Sequence, residues 1–164
     1  MINDILDDRE KRYYKILSLI DRYKQPVICG KINYPGANKN TQEATKAFNA
    51  LEKLLIKEFL EKSLYSKTHH GKDGSSLLIV INCGAVKAKE ICIDIENKHP
   101  LGRVFDIDIY NTKGTPISRT ELGHKPRKCV VCDGYGKICT RTQKHTYEEV
   151  INRKNELINC CTET

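Results

Sequence analysis

The sequence predicts an α+β fold, a single compact domain in which a mixed β-sheet is flanked by helices. Three observations lead there. Amphipathic runs of helical period are interleaved with short β-branched runs of strand length. Asn111-Thr112-Lys113-Gly114 has the character of a hairpin turn. No dinucleotide-type Gly-rich turn is present, which argues against a doubly wound parallel sheet. A chain of 164 residues can bury one good core and is short for two. Residues 1–164 are therefore read as one domain, with 124–145 an irregular basic segment inside it.

Taken in order, Asn3 can cap a helix in which Ile5, Leu6, Tyr13, Ile16, Leu17 and Ile20 recur at helical spacing, ending near Tyr23 before Pro26. Val27 to Ile32 reads as a strand, closed by the turn Asn33-Tyr34-Pro35-Gly36. Asn40 with Glu43 has the form of a capping box for a helix whose apolar stripe runs from Ala44 to Phe59. Leu64 to Thr68 reads as a strand, and His69 to Ser76 as a turn-forming loop. Leu77 to Asn82 is a continuous apolar strand, Gly84 breaks it, and Ala85 to Asn97 is a helix with Ala88, Ile91, Cys92 and Ile95 inward. His99, before Pro100, leaves helical geometry and leads into a strand from Val104 to Tyr110. Thr115 to Ile117 should return as its hairpin partner, and a last helix should run from about Thr146 to Asn159.

Composition narrows the class. Apolar residues are 39% and charged ones 30% of the chain, as in ordinary globular proteins. No apolar run approaches the roughly 20 residues that cross a bilayer, and the acidic start Met1-Ile2-Asn3-Asp4 is unlike a signal segment, so a cytoplasmic protein is expected. Eight cysteines are then not expected to form disulfides. Cys29, Cys83 and Cys92 read as small buried hydrophobes, Cys160 and Cys161 lie in the last few residues, and Cys129, Cys132 and Cys139 cluster. The net charge of +7 favours an anionic partner without naming it.

Three constellations can carry chemistry. On a strand from Val104 to Tyr110, Phe105, Ile107 and Ile109 share one face, and Asp106 and Asp108 share the other. Two neighbouring carboxylates repel unless a cation lies between them, and Mg²⁺ is the natural occupant. The bland alternative is a half-exposed strand with acidic outward residues. Just upstream, Gly102 can admit a ligand close to the backbone, and Arg103 offers a planar fork for phosphate or, alternatively, an internal salt bridge to one aspartate. Together these are the parts of a phosphoryl or nucleotidyl transfer site.

The second is Cys129-x2-Cys132-x6-Cys139-x5-His145, four ligands able to close a tetrahedral structural Zn²⁺ site; the alternative is three thiols and a helix-start histidine. The third is the basic set Arg119, Lys125, Arg127, Lys128, Lys137, Arg141 and Lys144. With only Tyr135 among them for stacking, an acidic protein or a polyphosphate suits these charges as well as nucleic acid does, and a solvated basic face remains the plain alternative. Lys39 near a helix start is a further candidate phosphate contact.

The run His99-Pro100-Leu101-Gly102-Arg103-Val104-Phe105-Asp106-Ile107-Asp108, then Pro116-Ile117-Ser118-Arg119, Leu122-Gly123, Pro126-Arg127-Lys128-Cys129-Val130-Val131-Cys132 and Cys139-x-Arg141-x3-His145, resembles the apo-citrate lyase phosphoribosyl-dephospho-CoA transferase family, also called citrate lyase holo-acyl-carrier-protein synthase. Asn33-Tyr34-Pro35-Gly36 and Lys39 resemble that family's Asn-x-Pro-Gly loop. The length suits the stand-alone enzyme rather than a fusion.

The resemblance implies a single nucleotidyltransferase-like catalytic domain. It would move the phosphoribosyl group of 2′-(5″-triphosphoribosyl)-3′-dephospho-CoA onto a serine of the citrate lyase acyl carrier protein (gamma subunit), releasing diphosphate. Asp106 and Asp108 would hold Mg²⁺, and Arg103 would neutralise phosphate charge. Gly102, His99, Asn33, Gly36, Lys39, Arg119 and Arg127 would contact substrate, with His99 either sharing general-base duty or capping its helix. Partners would be the carrier and the donor, with no nucleic acid and no membrane. A related synthase for another carrier, such as that of malonate decarboxylase, and a non-enzymatic zinc-stabilised binding module are the competing readings.

Overall fold

Two adjacent strands, β1 (Val27–Ile32) and β3 (Gly74–Ile81), carry apolar residues toward both faces, and the rest of the chain covers those faces. A computed structural model describes residues 2–162 of the protein. The elements run α1 (Ile2–Tyr23), β1, α2 (Gln42–Glu58), a short 3₁₀ turn (Leu60–Lys62), β2 (Ser63–Gly71), β3, α3 (Ala85–Lys98), β4 (Phe105–Tyr110), α4 (Gly136–Arg141) and α5 (Tyr147–Thr162).

The four strands lie in the order β2-β3-β1-β4. The α+β class is as expected, but the sheet is not mixed, because every pairing is antiparallel. Alternate side chains separate into two cores. On one face Ile28, Leu77, Ile79, Phe105, Ile107 and Ile109 pack with Phe48, Leu51 and Leu55 of α2, Ala88 and Cys92 of α3 and Ile158 of α5. On the other, Val27, Cys29, Leu78 and Val80 pack with Ile16, Leu19 and Ile20 of α1. Leu6 and Tyr13, expected in the apolar stripe of α1, are exposed, and Leu19 takes the inward position instead.

Local departures from the sequence expectation have identifiable causes. Helix α1 starts at Ile2, so Asn3 lies within its first turn. Residues 69–76 are not a loop. His69 pairs with Ser76 and His70 with Ser75, and only Lys72 and Asp73 turn the chain. Polar residues suit an edge strand with one wet face, which is why the run lacks a strand's usual apolar signature. The turn is pinned to α1, since Asp73 accepts from Arg9 (3.0 Å) and Arg12 (2.7 Å), and Asp8 accepts from the backbone N–H groups of Lys72 and Asp73.

The cap of α2 is Thr41, whose hydroxyl accepts from Ala44 N–H at 3.1 Å, because the Asn40 amide is drawn away to donate to Gly71 O at 2.9 Å. Thr115 to Ile117 does not form a strand. It makes one bridge, Tyr110 to Pro116, and proline has no N–H to continue a ladder. The last helix begins after a reciprocal box in which Thr146 Oγ1 accepts from Glu149 N–H (3.1 Å) and the Glu149 carboxylate accepts from Thr146 N–H (2.7 Å).

Replacing Thr41→Ala should lower stability by about 1 kcal/mol by leaving the Ala44 N–H uncapped, read as a lower urea midpoint at unchanged m-value.

Candidate active site and Cys/His cluster

Strand β4 is the edge of the sheet, and its three outward carbonyls are occupied from outside the ladder. Phe105 O accepts from Arg127 Nη1 at 2.8 Å, Ile107 O from Lys89 Nζ at 3.0 Å, and Ile109 O from Ile117 N–H at 2.9 Å. Ile107 N–H in turn donates to Glu96 Oε1 at 3.3 Å. Lys89 and Glu96 project from α3 and are buried. They stand seven residues apart on the helix face that also buries Cys92. Sequence reading missed both. The available signal was a lysine and a glutamate at helical spacing inside an otherwise apolar face.

Glu96 is the node of this edge. Its other oxygen accepts from Arg119 Nη2 at 2.6 Å, and Arg127 Nη1 approaches its first at 3.8 Å. Arg127 also donates to Gly102 O at 2.6 Å. The guanidiniums of Arg119 and Arg127 are thus engaged by protein groups at the wall of the site. Gly102 faces the backbone rather than a ligand: a Cβ there would stand 2.1 Å from Glu96 O. It is required for the close packing of the turn on α3.

Asp106 and Asp108 share the face opposite Phe105, Ile107 and Ile109, as the alternation demands. Asp106 pairs with Lys31 of β1 at 3.4 Å, its direct neighbour across the ladder. Asp108 makes no ion pair among the described residues. Burial pushes its carboxyl above the usual carboxylate range, and the charge of Asp106 adds to that against Lys89 and Lys31. Arg103 does not bridge to either aspartate. Burial and the neighbouring Arg127 charge both lower its pKa. The carboxylates could hold a divalent ion and the guanidinium a phosphate.

These groups line an open cleft of about 1290 Å³. Its wall also includes Asn33 and Pro35 of the loop after β1, Arg119, Arg127, and Tyr147 and Lys154 of α5. That loop is latched to α5. Lys154 Nζ donates to Asn33 O, Tyr34 Oη to Asn155 Oδ1 at 2.8 Å, and the Tyr147 hydroxyl lies where a Cβ on Gly36 would be 2.5 Å away. Gly36 has φ +81°, a second reason for glycine. Lys154 was also missed by sequence reading; burial pulls its ammonium pKa down to about 8, with Arg127, Lys39 and Arg103 adding to the effect.

Four predicted contacts lie off the cleft lining: Gly36 and Gly102, packed as described above, and Lys39 and His99. Lys39 donates to Tyr34 O at 2.5 Å and flanks a separate small pocket near Asp73. His99 Nδ1 accepts from Leu101 N–H at 3.0 Å, and its ring lies 4.9 Å from that of Phe105.

The four predicted metal ligands do come together. Cys129, Cys132 and Cys139 Sγ and a His145 ring nitrogen lie within 4.8 Å of one another and could hold a metal ion. The cleft lining beside them carries exposed Lys128, Lys137, Arg141 and Lys144, and Lys125 is exposed as well. Of the remaining cysteines, Cys29 and Cys92 are buried as expected and Cys83 only partly, and burial pushes the Cys29 thiol up to about 12.

Comparison with known proteins adds three findings. The profile of the family described as apo-citrate lyase phosphoribosyl-dephospho-CoA transferase matches residues 1–161. An Escherichia coli O1:K1 protein carrying that same name is 27% identical over 164 residues, covering 96% of this chain and 88% of its own length. A Haemophilus influenzae protein named CitXG is 29% identical over 164 residues, covering 93% of this chain, which spans only 34% of that longer protein.

Removing the node, Glu96→Ala, should cost about 3 kcal/mol, since it strands the buried Arg119 charge and the Ile107 N–H together; urea unfolding measures it.

Proposed function

Because the chain belongs to the apo-citrate lyase phosphoribosyl-dephospho-CoA transferase family, we propose that it attaches the phosphoribosyl-dephospho-CoA group to the apo form of the citrate lyase acyl carrier protein. The observation that carries this reading to the residues is the cation-poor pair Asp106 and Asp108 facing the same cleft as Arg103. The donor is 2′-(5″-triphosphoribosyl)-3′-dephospho-CoA. A carrier serine Oγ attacks its α-phosphorus, a phosphodiester bond forms, the bond to the diphosphate breaks, and the serine proton leaves to a base or to water. The whole chain acts as one catalytic domain, and the reaction is nucleotidyl transfer in form.

In this reading Asp106 and Asp108 hold Mg²⁺, which when bound supplies charge neutralisation for the phosphates. Arg103 neutralises charge on the α-phosphate or the departing diphosphate. Asn33 lines the donor cleft, while Arg119 and Arg127 shape its wall through Glu96. Gly36 and Lys39 set the loop that carries Asn33, and His99 and Gly102 set the turn that carries Arg103. A cleft above the roughly 300–1,000 Å³ of ordinary ligand sites suits a CoA-sized donor that must also meet a carrier serine. The exposed lysines and arginine at its rim suit the carrier. Cys129, Cys132, Cys139 and His145 take zinc as a structural ion. No helix among the described residues is long and apolar enough to cross a membrane, which agrees with a cytoplasmic enzyme. The relatives' printed name specifies citrate lyase, so a malonate decarboxylase carrier is not proposed.

The test is to incubate the protein with apo carrier, donor and Mg²⁺ and to read the intact mass of the carrier. A gain equal to the phosphoribosyl-dephospho-CoA group is expected, and an unchanged mass would falsify the assignment. Asp106→Asn and Asp108→Asn should each lower transfer by at least about 100-fold while leaving thermal unfolding near wild type; turnover like wild type in either variant removes the metal role. Since burial and the Asp106 charge favour the protonated form of Asp108, protons and Mg²⁺ compete for it, so the Mg²⁺ concentration that gives half-maximal transfer should rise as the pH is lowered; Mg²⁺ titrations of the initial rate at several pH values measure it.

A further inference from the structure

We infer that the metal ion held by Cys129, Cys132, Cys139 and His145 is a closed zinc clasp that joins the two walls of the cleft, so that loading the ion completes the donor site. The four ligand atoms lie within 4.8 Å of one another, and two of the six distances between them are close to a tetrahedron's edges. Zinc–sulfur bonds of about 2.3 Å and zinc–nitrogen bonds of about 2.0 Å set S···S edges near 3.8 Å and N···S edges near 3.5 Å. Cys132 and Cys139 Sγ stand 3.6 Å apart, and His145 Nε2 is 3.3 Å from Cys132 Sγ. The sulfurs are also supported as thiolates are. Val131 N–H points to Cys129 Sγ and Gly134 N–H to Cys132 Sγ, each at 3.4 Å and each from two residues on. Cys129 N–H closes this knuckle onto Gly134 O at 2.6 Å. Three thiolates around a dication leave one net negative charge, and Lys144 Nζ lies 3.7 Å from Cys132 Sγ to offset it. Soft sulfur ligands select zinc over magnesium or calcium, and four protein ligands leave no position for chemistry.

The surrounding chain has little else to order it. Between β4 and α5 the only regular element is the six-residue α4, and Cys139 is the only buried hydrophobic side chain among the described residues of that stretch. Such a segment cannot bury enough apolar surface to fold by itself. Its metal ligands sit at its two junctions with the cleft. Cys129 follows Arg127, which is bonded to Gly102 O and Phe105 O at the β4 wall. His145 precedes Tyr147 at the start of α5, and α5 latches Asn33, Tyr34 and Gly36. The ion therefore ties the β4 wall to the Asn33 loop through two short lengths of backbone.

This deepens the transferase reading where it speaks of the donor site, but its tests read metal and backbone and need no transfer, so it can fail while the carrier assay succeeds, and the reverse. Native mass spectrometry of protein made in zinc-replete medium should show one zinc per chain, lost in Cys132→Ser; wild type without zinc, or Cys132→Ser with a full equivalent, overturns the site. Cobalt in place of zinc should give the absorption of a tetrahedral thiolate site, and His145→Cys should keep the cobalt and strengthen the sulfur-to-metal charge-transfer band by adding a fourth thiolate. An unchanged band removes His145 from the site. Chelating zinc from the wild-type chain should speed amide exchange by roughly tenfold or more at residues 33–36 and 147–155 while β3 stays protected. Exchange unchanged at 33–36, or protection lost across β3 as well, overturns the clasp.

Discussion

The outer edge of β4 is the constraint on which the site depends. An edge strand leaves a row of N–H and C=O groups that must find partners or invite another chain. Here three successive outward carbonyls are met by three different parts of the molecule: Arg127 from the irregular segment, Lys89 from α3 and Ile117 from the turn after the strand. The edge is thereby sealed without a fifth strand. Because two of the three partners are long charged side chains rather than backbone, a cleft can run along the edge, with Asp106 and Asp108 turned to one side and the apolar core to the other.

Burial of Lys89 and Glu96 makes the seal electrostatic as well as geometric. Each would be costly in the interior alone, and each is held by the Ile107 backbone and by opposite charge nearby. Glu96 joins Arg119 and Arg127, so a single carboxylate on α3 positions two guanidiniums that arrive from a segment with almost no secondary structure of its own. Burial and the charge of Asp106 hold the Asp108 carboxyl above the usual carboxylate range next to this network, the kind of perturbed group that marks a candidate site in a cleft.

Helix α5 performs the corresponding task on the opposite wall. Its Lys154, Asn155 and Tyr147 hold the loop from Asn33 to Gly36, a loop that local sequence marks only as a turn. This wall joins residues more than a hundred positions apart in the chain, Asn33 with Lys154 and Tyr34 with Asn155. The segment leaving β4 reaches α5 by way of the Cys/His cluster, where the proposed clasp joins the two walls.

Much of this was legible in the residues. The alternation along Phe105 to Tyr110 placed Asp106 and Asp108 on a common face before any tertiary contact was known, because a strand's side chains can only alternate. The Cys-x2-Cys knuckle with Cys139 and His145 was likewise readable, since ligand type and spacing constrain a tetrahedral site. The family followed from the order of motifs between His99 and His145. What the sequence could not supply was direction and partnership. Whether neighbouring strands ran antiparallel throughout, whether Gly102 faced a ligand or Glu96, and whether Arg103, Arg119 or Arg127 stayed free depended on which distant elements met them. Lys89, Glu96 and Lys154 became part of the site only on folding, because the identity of a buried charge's partner is decided by long-range packing, whereas periodicity and ligand spacing are written locally along the chain.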